Sequence, residues 1–393
     1  MRIIKGFMGV LALLSAGLSA AEVAPSEPGQ ASVLAEAGPA LDVSTKLAAE
    51  KYAELEKDFA PLLNAYLAGS ATEDNLAPKF AALAGTPGLE SRLDGWVTAY
   101  PASYSARLSR GLYRIADAWR SRGDKFSDRT TDAQLKGFTD GLNQAAADLN
   151  ASIKLYAKPV WSYTALIQIS RGLGGKRDDA RQLLDKALTI DPQAYGPRME
   201  YQIMLTPKWG GSVDLMEGFA RECRQSAMSK QNKDRIEAWH HAYLGEDALM
   251  ARDYRRASDE YLKAYEAGHE PRRLFQSGQA AMDGSLVNLA FQRFDALVKA
   301  HPQYPFGYNK RGWLYESQFK SDEKAFKDYL ASAELGNSYA QNRVGWWYMT
   351  GRSVPKNYDQ AELYFRRAAA QNNDTAVANL KSLKALRNAA AAP

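Results

Sequence analysis

The chain holds one cysteine, Cys223, and four histidines, His240, His241, His269 and His301, among 393 residues. A lone thiol excludes an internal disulfide, so the fold depends on packing. Cys223 falls on the apolar stripe Leu215, Met216, Phe219, Ala220, where a cysteine behaves as a small hydrophobe, and no flanking histidine makes it a nucleophile. His240 and His241 are adjacent, so on a helix they point about 100° apart and cannot chelate one ion as a pair. His269-Glu270 runs into Pro271, which leaves no H-E-x-x-H motif, and His301 precedes Pro302 in a turn. G-x-S-x-G is missing, so a hydrolase elbow has no support. The segment Gly172-Leu173-Gly174-Gly175-Lys176 lacks the spacing of a phosphate loop, follows no strand, and sits where a helix pair needs its turn. No metal or cofactor is expected. Carboxylates are plentiful but unpaired by any motif, so an enzyme with a carboxylate site in residues 96–226 remains an alternative.

Strong charge of one sign is also lacking. The formal net charge is +5 with 24% charged residues, too mild to imply nucleic acid or an anionic membrane as partner. Part of that charge, Arg2 and Lys5, precedes the apolar run Phe7 to Leu18 and the small residues Ser19-Ala20-Ala21. That order predicts a secretory leader over 1–21, with retention as an anchor the alternative. The expected location is therefore the periplasm or the exterior, the former if the source is Gram-negative. No other stretch reaches membrane-spanning length. Residues 22–40, rich in Ala, Pro, Gly and Glu, predict a flexible linker.

Strand-like alternation is absent, and helical spacing dominates. A helix is expected from Ser44 or Thr45 through Leu47, Leu55, Phe59, Leu63 and Tyr66, and another through Leu76, Phe80 and Leu83 to Gly85. Beyond residue 230 the pattern is periodic. Gly245, Gly278, Gly312 and Gly345 lie 33, 34 and 33 residues apart. Each is followed by a small residue (Ala257, Ala290, Ala325, Ala361), then by an aromatic four later (Tyr261, Phe294, Tyr329, Phe365). Ala264, Leu297, Ser332 and Ala368 come three further on. A period of this length predicts stacked helix pairs, an all-α solenoid over 230–380 followed by a frayed tail, 381–393. Residues 41–226 are expected to form an irregular helical domain.

Within that domain Ala180, Leu184, Ala187 and Pro192, and later the Gly245 and Gly278 units, resemble tetratricopeptide repeats. The first of these units spans about 158–192. His269 stands where the Gly245 unit would carry proline. The last unit looks like a Sel-one-like repeat, through Ala340, Val344-Gly345, Tyr348, Gly351, Val354, Ala361, Tyr364, Ala368-Ala369 and Ala376. Ser353 and Asn372 replace its usual glycines, and Asn357 its usual aspartate. Trp96, Pro101, Ser103, Gly111, Ala118-Trp119-Arg120, Arg122-Gly123 and Pro207-Lys208-Trp209-Gly210-Gly211-Ser212 are similar to a bacterial family of unknown function. These resemblances imply a right-handed superhelix and a non-enzymatic adaptor that binds a protein or peptide. An accessory factor for envelope glycan enzymes is the second reading.

Two sites follow. Asn309 and Trp313 are four apart, as are Asn342 and Trp346, so each pair shares a helix face. In the repeat families that face lines the concave groove, which Phe275, Gln279 and Met282 would extend by one unit. Asparagine can bond an extended backbone, and tryptophan supplies contact area. The competing role is packing between repeats. Lys208, Trp209, Gly210, Gly211 and Ser212 form either an anion site at a helix N-terminus or a structural corner plugged by Trp209.

Overall fold

The computed structural model of the chain describes residues 38–123 and 130–390. The expected leader lies outside these residues, as does most of the expected linker. Among the described residues there are nineteen α-helices, one 3-10 turn and no strand. The chain divides into two units, Met1–Lys233 and Asp234–Pro393.

The first unit contains α1 (Gly38–Ala48), α2 (Tyr52–Leu67), α3 (Glu73–Gly85), α4 (Glu90–Ala99), α5 (Tyr104–Arg122), α6 (Asp132–Ser152), α7 (Val160–Gly172), α8 (Arg177–Ile190), α9 (Gly196–Met204) and α10 (Val213–Gln225). The first helix corrects two expectations. It starts at Gly38, inside the expected linker, because Pro39 sits in the first turn where its missing N–H leaves no bond unmade. Ser44 and Thr45 are then interior to α1 rather than at its N-terminus. Ser44 Oγ instead lies 3.3 Å from Thr86 Oγ1. A left-handed Glu50 (φ 57°) ends α1, so the stripe Leu47 to Tyr66 is split across two helices.

Leu55, Phe59, Phe80 and Trp96 are fully buried in this unit's core. Trp96 keeps its indole N–H satisfied by donating to Glu56 Oε1 at 2.7 Å. Gly111 lets the Leu149 side chain of α6 press onto α5, since a Cβ there would lie 2.9 Å from Leu149 Cγ. Ala180, Leu184 and Ala187 are all fully buried, and the Gly172–Lys176 segment forms the turn between α7 and α8.

The second unit holds most of α11 (Lys230–Met250), which crosses the division, and then α12 (Tyr254–Gly268), α13 (Pro271–Asp283), α14 (Val287–Ala300), α15 (Pro305–Ser317), α16 (Asp322–Glu334), α17 (Ser338–Thr350), α18 (Tyr358–Ala369) and α19 (Asp374–Ala390). From α12 on, each helix packs chiefly on the one before and the one after, as in a solenoid. The period has a direct mechanical cause. Each repeated glycine receives the aromatic ring of its partner helix. A Cβ on Gly245, Gly278, Gly312 or Gly345 would come within 3.0, 2.6, 3.2 and 2.7 Å of Tyr261, Phe294, Tyr329 and Phe365 respectively. The small residues Ala257, Ala290, Ala325 and Ala361 are fully buried beside those rings.

The departures from the repeat patterns also have backbone reasons. Ser353 (φ 56°) and Asn372 (φ 61°) both hold the left-handed conformation that glycine adopts freely. Asn357 caps α18 as an aspartate would, accepting from Asp359 N and Gln360 N. His269 sits at φ 54°, which proline cannot reach. The expected end near Leu380 is corrected as well. Helix α19 continues to Ala390 because Leu383 is buried against Phe365 and Ala368, so 381–390 is helix rather than frayed tail. Residues 391–393 lie outside the described residues.

Candidate functional site

The proposed groove residues all lie on first helices of the pairs. Asn309 and Trp313 are one turn apart on α15, Asn342 and Trp346 on α17, and Phe275, Gln279 and Met282 on α13. Their environments differ. Trp313 is 43% exposed. Trp346 is half-buried and packs against the cores of two successive pairs, one around Tyr329 and Trp347, the other around Phe365 and Leu383. Phe275 and Met282 pack on the core around Phe294. Gln279 bonds Asp283 on its own helix at 2.7 Å. Asn309 is half-buried, and Asn342 Oδ1 accepts from Asn379 Nδ2 of α19 at 2.8 Å. The face therefore offers one open indole flanked by packed or bonded neighbours.

Arginine networks hold the helices that carry these residues. Arg311 of α15 donates to both Asp328 oxygens at 2.8 Å and to Asp295 at 2.7 Å, tying α15 to α16 and α14. Glu316 accepts from Tyr329 Oη at 2.8 Å, from Arg352 at 2.8 Å and from Arg343. The Arg343 guanidinium lies 5.0 Å from the centre of the Trp346 ring. The glycine period gave no signal for these bonds, because their acids fall at different places in each pair.

The corner at Pro207–Ser212 is a 3-10 turn, Pro207–Trp209, followed by a left-handed Gly210 (φ 79°). Gly211 is obligatory, since a Cβ there would overlap the Leu205 carbonyl. Ser212 caps α10 by accepting from Leu215 N at 3.2 Å. The amides of Trp209, Gly210 and Gly211 donate within the turn, to Thr206, Pro207 and Thr206 carbonyls. The Trp209 ring meets Trp119 edge-on at 6.2 Å and the Arg171 guanidinium at 5.1 Å. Lys208 Nζ lies 5.5 Å from that ring. Burial, then the charges of Arg171 and Arg122, hold Lys208 below the usual lysine range. Sequence reasoning missed Arg171. The available signal was a single charge near the end of the otherwise uncharged α7.

Among the described residues of 96–226, two carboxylates are buried. Asp148 accepts from Arg110 Nε at 2.9 Å and Arg114 Nη1 at 2.7 Å, and Glu200 accepts from Arg171 Nη2 at 2.8 Å. Burial pushes the Glu200 carboxyl up, against the opposing pull of Arg171. A depression of about 550 Å³ in this unit is lined by residues that include Asn150, Lys154, Tyr163 and Lys186, without a carboxylate. Among the described residues no helix is long and apolar enough to cross a membrane.

Residues 338–373, the α17–α18 pair, match the Sel1 repeat family, and residues 41–177 match a domain of unknown function (DUF4034). The second match ends before Pro207. No curated protein matches the chain. Solved structures similar to it include a Sel1 repeat protein from Oxalobacter formigenes, at 14% identity over 95% of this chain and 99% of that one, with a TM-score of 0.37. Yeast Tom70 is similar at 11% identity over 92% and 89%, TM-score 0.36. YrrB, described as a TPR protein with an unusual peptide-binding site, is similar at 16% identity over 50% and 97%, TM-score 0.32.

Proposed function

We propose that the second unit is a non-enzymatic scaffold that captures an extended segment of a protein partner along α13, α15 and α17, with Trp313 as anchor. Repeat folds of the Sel1 and tetratricopeptide type act as protein–protein interaction scaffolds, and the helix pairs here provide the rigid support such a surface needs. The observation that carries the reading is the exposure of Trp313 on the first helix of its pair, at 43%. A large indole left open on a held helix is an expected binding hot spot. Asn309, one turn earlier, supplies an amide able to donate to and accept from a peptide backbone. Trp346 and Asn342 continue the same face but are already engaged by Arg343 and Asn379. They contribute wall rather than anchor, as do Phe275, Gln279 and Met282 on α13.

The reading includes export, motivated by Arg2, Lys5, the apolar run Phe7–Leu18 and Ser19-Ala20-Ala21. Intact mass of the protein from the envelope fraction, expected to begin at Glu22, checks it; a full-length cytosolic chain would overturn it. The groove is tested by capture from that fraction with the full exported chain and with Trp313→Ala. Specific partners should be lost from the variant while its far-UV signal is unchanged. The same species retained at the same yield would remove the groove.

A further inference from the structure

The first unit carries a second arrangement, independent of the groove. We propose that the depression bordered by α6, α7 and α8 binds a small organic anion, an apolar body carrying a carboxylate or phosphate group. Helix α7 packs against both α6 and α8, and residues from all three regions line the depression of about 550 Å³. A volume of that size holds a small molecule. Its apolar walls are anchored from behind. Ile153 and Leu183 pack on the large core of the unit, and Tyr163 packs on the separate cluster of Val160, Ala187 and Ala194. Side chains set in close-packed cores keep their places, so the surface is preformed.

The charge of the lining has one sign. Lys154, in the turn after α6, and Lys186, on α8, both line the depression, and no carboxylate does. Neither lysine makes an ion pair or hydrogen bond among the described residues. The acids nearest to them in sequence are committed elsewhere. Asp148 pairs with Arg110 and Arg114, Asp185 with Arg181, and Asp191 with Lys158. Two uncompensated ammonium groups on one small volume favour an anion there. The half-buried Tyr163 adds a hydroxyl that has no hydrogen-bond partner among the described residues. That hydroxyl can donate to a carboxylate or phosphate oxygen. Asn150 directs its amide nitrogen to Ala146 O at 2.8 Å, so recognition falls to the two lysines and Tyr163. A bare inorganic ion would use the lysines and leave the apolar walls wet. An anion with an alkyl or aryl body covers both.

The test is a calorimetric titration of the full chain with sodium benzoate and, separately, sodium phenyl phosphate. Sodium acetate and sodium phosphate supply the charge without the body, and benzyl alcohol the body without the charge, all at equal ionic strength in sodium chloride. Saturable binding of benzoate or phenyl phosphate is expected, about tenfold tighter or more than any of these controls. The arm that binds tighter tells carboxylate from phosphate. Lys154→Met and Lys186→Met each remove one exposed charge and keep an apolar stem. Each should weaken binding about fivefold with the far-UV signal unchanged. Tyr163→Phe keeps the ring and its packing and should also weaken binding about fivefold. No saturable binding, binding that both lysine variants leave unchanged, or a control that binds as tightly as benzoate and phenyl phosphate overturns the site.

Discussion

Replacing the repeat glycines by alanine sets two opposing effects against each other. Alanine favours a helix interior over glycine by about 1 kcal/mol. Against this stands the contact its Cβ would make. At Gly278 that Cβ meets three atoms of the Phe294 ring at 2.6, 2.8 and 2.9 Å. Phe294 is fully buried and has Phe275 5.8 Å away on one side. The ring has no room to retreat, and overpacking of this kind costs about 1–3 kcal/mol. Three contacts under 3.0 Å put the cost in the upper half of that range, so Gly278→Ala should destabilise by about 1–2 kcal/mol net. At Gly312 the nearest atoms are Asp328 Cβ and Tyr329 Cδ1, both at 3.2 Å, and a shift of a few tenths of an ångström relieves them. There the helix gain offsets the contact, and Gly312→Ala should stay within about 0.5 kcal/mol of the parent. Urea unfolding followed by circular dichroism measures both. A Gly278→Ala protein as stable as Gly312→Ala would refute the idea that ring insertion sets the repeat.

Three further outcomes are expected. Ser353→Gly should stabilise the last pair by about 0.5–1 kcal/mol by relieving a left-handed serine, and Asn372→Gly by less because asparagine tolerates that conformation; a loss of stability in thermal melts would contradict this. Trp347→Ala should cost about 3–5 kcal/mol because that ring is fully buried, whereas Trp313→Ala should change stability by under about 0.5 kcal/mol; equal losses would show that Trp313 is structural. Burial alone would raise the Glu260 carboxyl, but hydrogen bonds from His241 at 2.7 Å and Lys263 at 2.8 Å outweigh it and hold it at about 2. A depressed carboxylate adds stability that is present above the unfolded value of 4.5 and lost as pH falls toward 2. Over that window the parent should lose about 2–3 kcal/mol more than Glu260→Gln, read from urea midpoints; parallel curves would exclude the contribution.

The second unit was legible because its decisive contacts are short-range and repeated. Gly278 and Phe294 belong to one period, so the sequence displays the pair at a fixed offset, and the same offset recurs in the other units. The first unit has no such period. Its ties run over long separations: Glu73 accepts from the amides of Tyr195 and Gly196, and Tyr66 bonds Asp191. Nothing local marks those partners. Helix α1 was misplaced for a related reason. Its stripe continues into α2, and only the left-handed Glu50 between them breaks the run.

The groove shows where periodicity stops being informative. Asn309/Trp313 and Asn342/Trp346 are equivalent by spacing and by residue type. What separates them is the neighbour that each meets. Trp346 packs against the cluster containing Leu383, and Asn342 is taken by Asn379, both contributed by α19. Those α19 contacts withdraw one tryptophan of the pair into packing, while Trp313 stays exposed. A repeat motif thus specifies a position on the helix, and the next helix decides whether that position binds outward or inward. It follows that shortening α19 from Asn379 onward should open Trp346 and Asn342 and lengthen the capturing face. Quenching of indole fluorescence by acrylamide, compared between the full chain and that truncation, measures the opening; unchanged quenching would mean that α19 does not shield the second tryptophan.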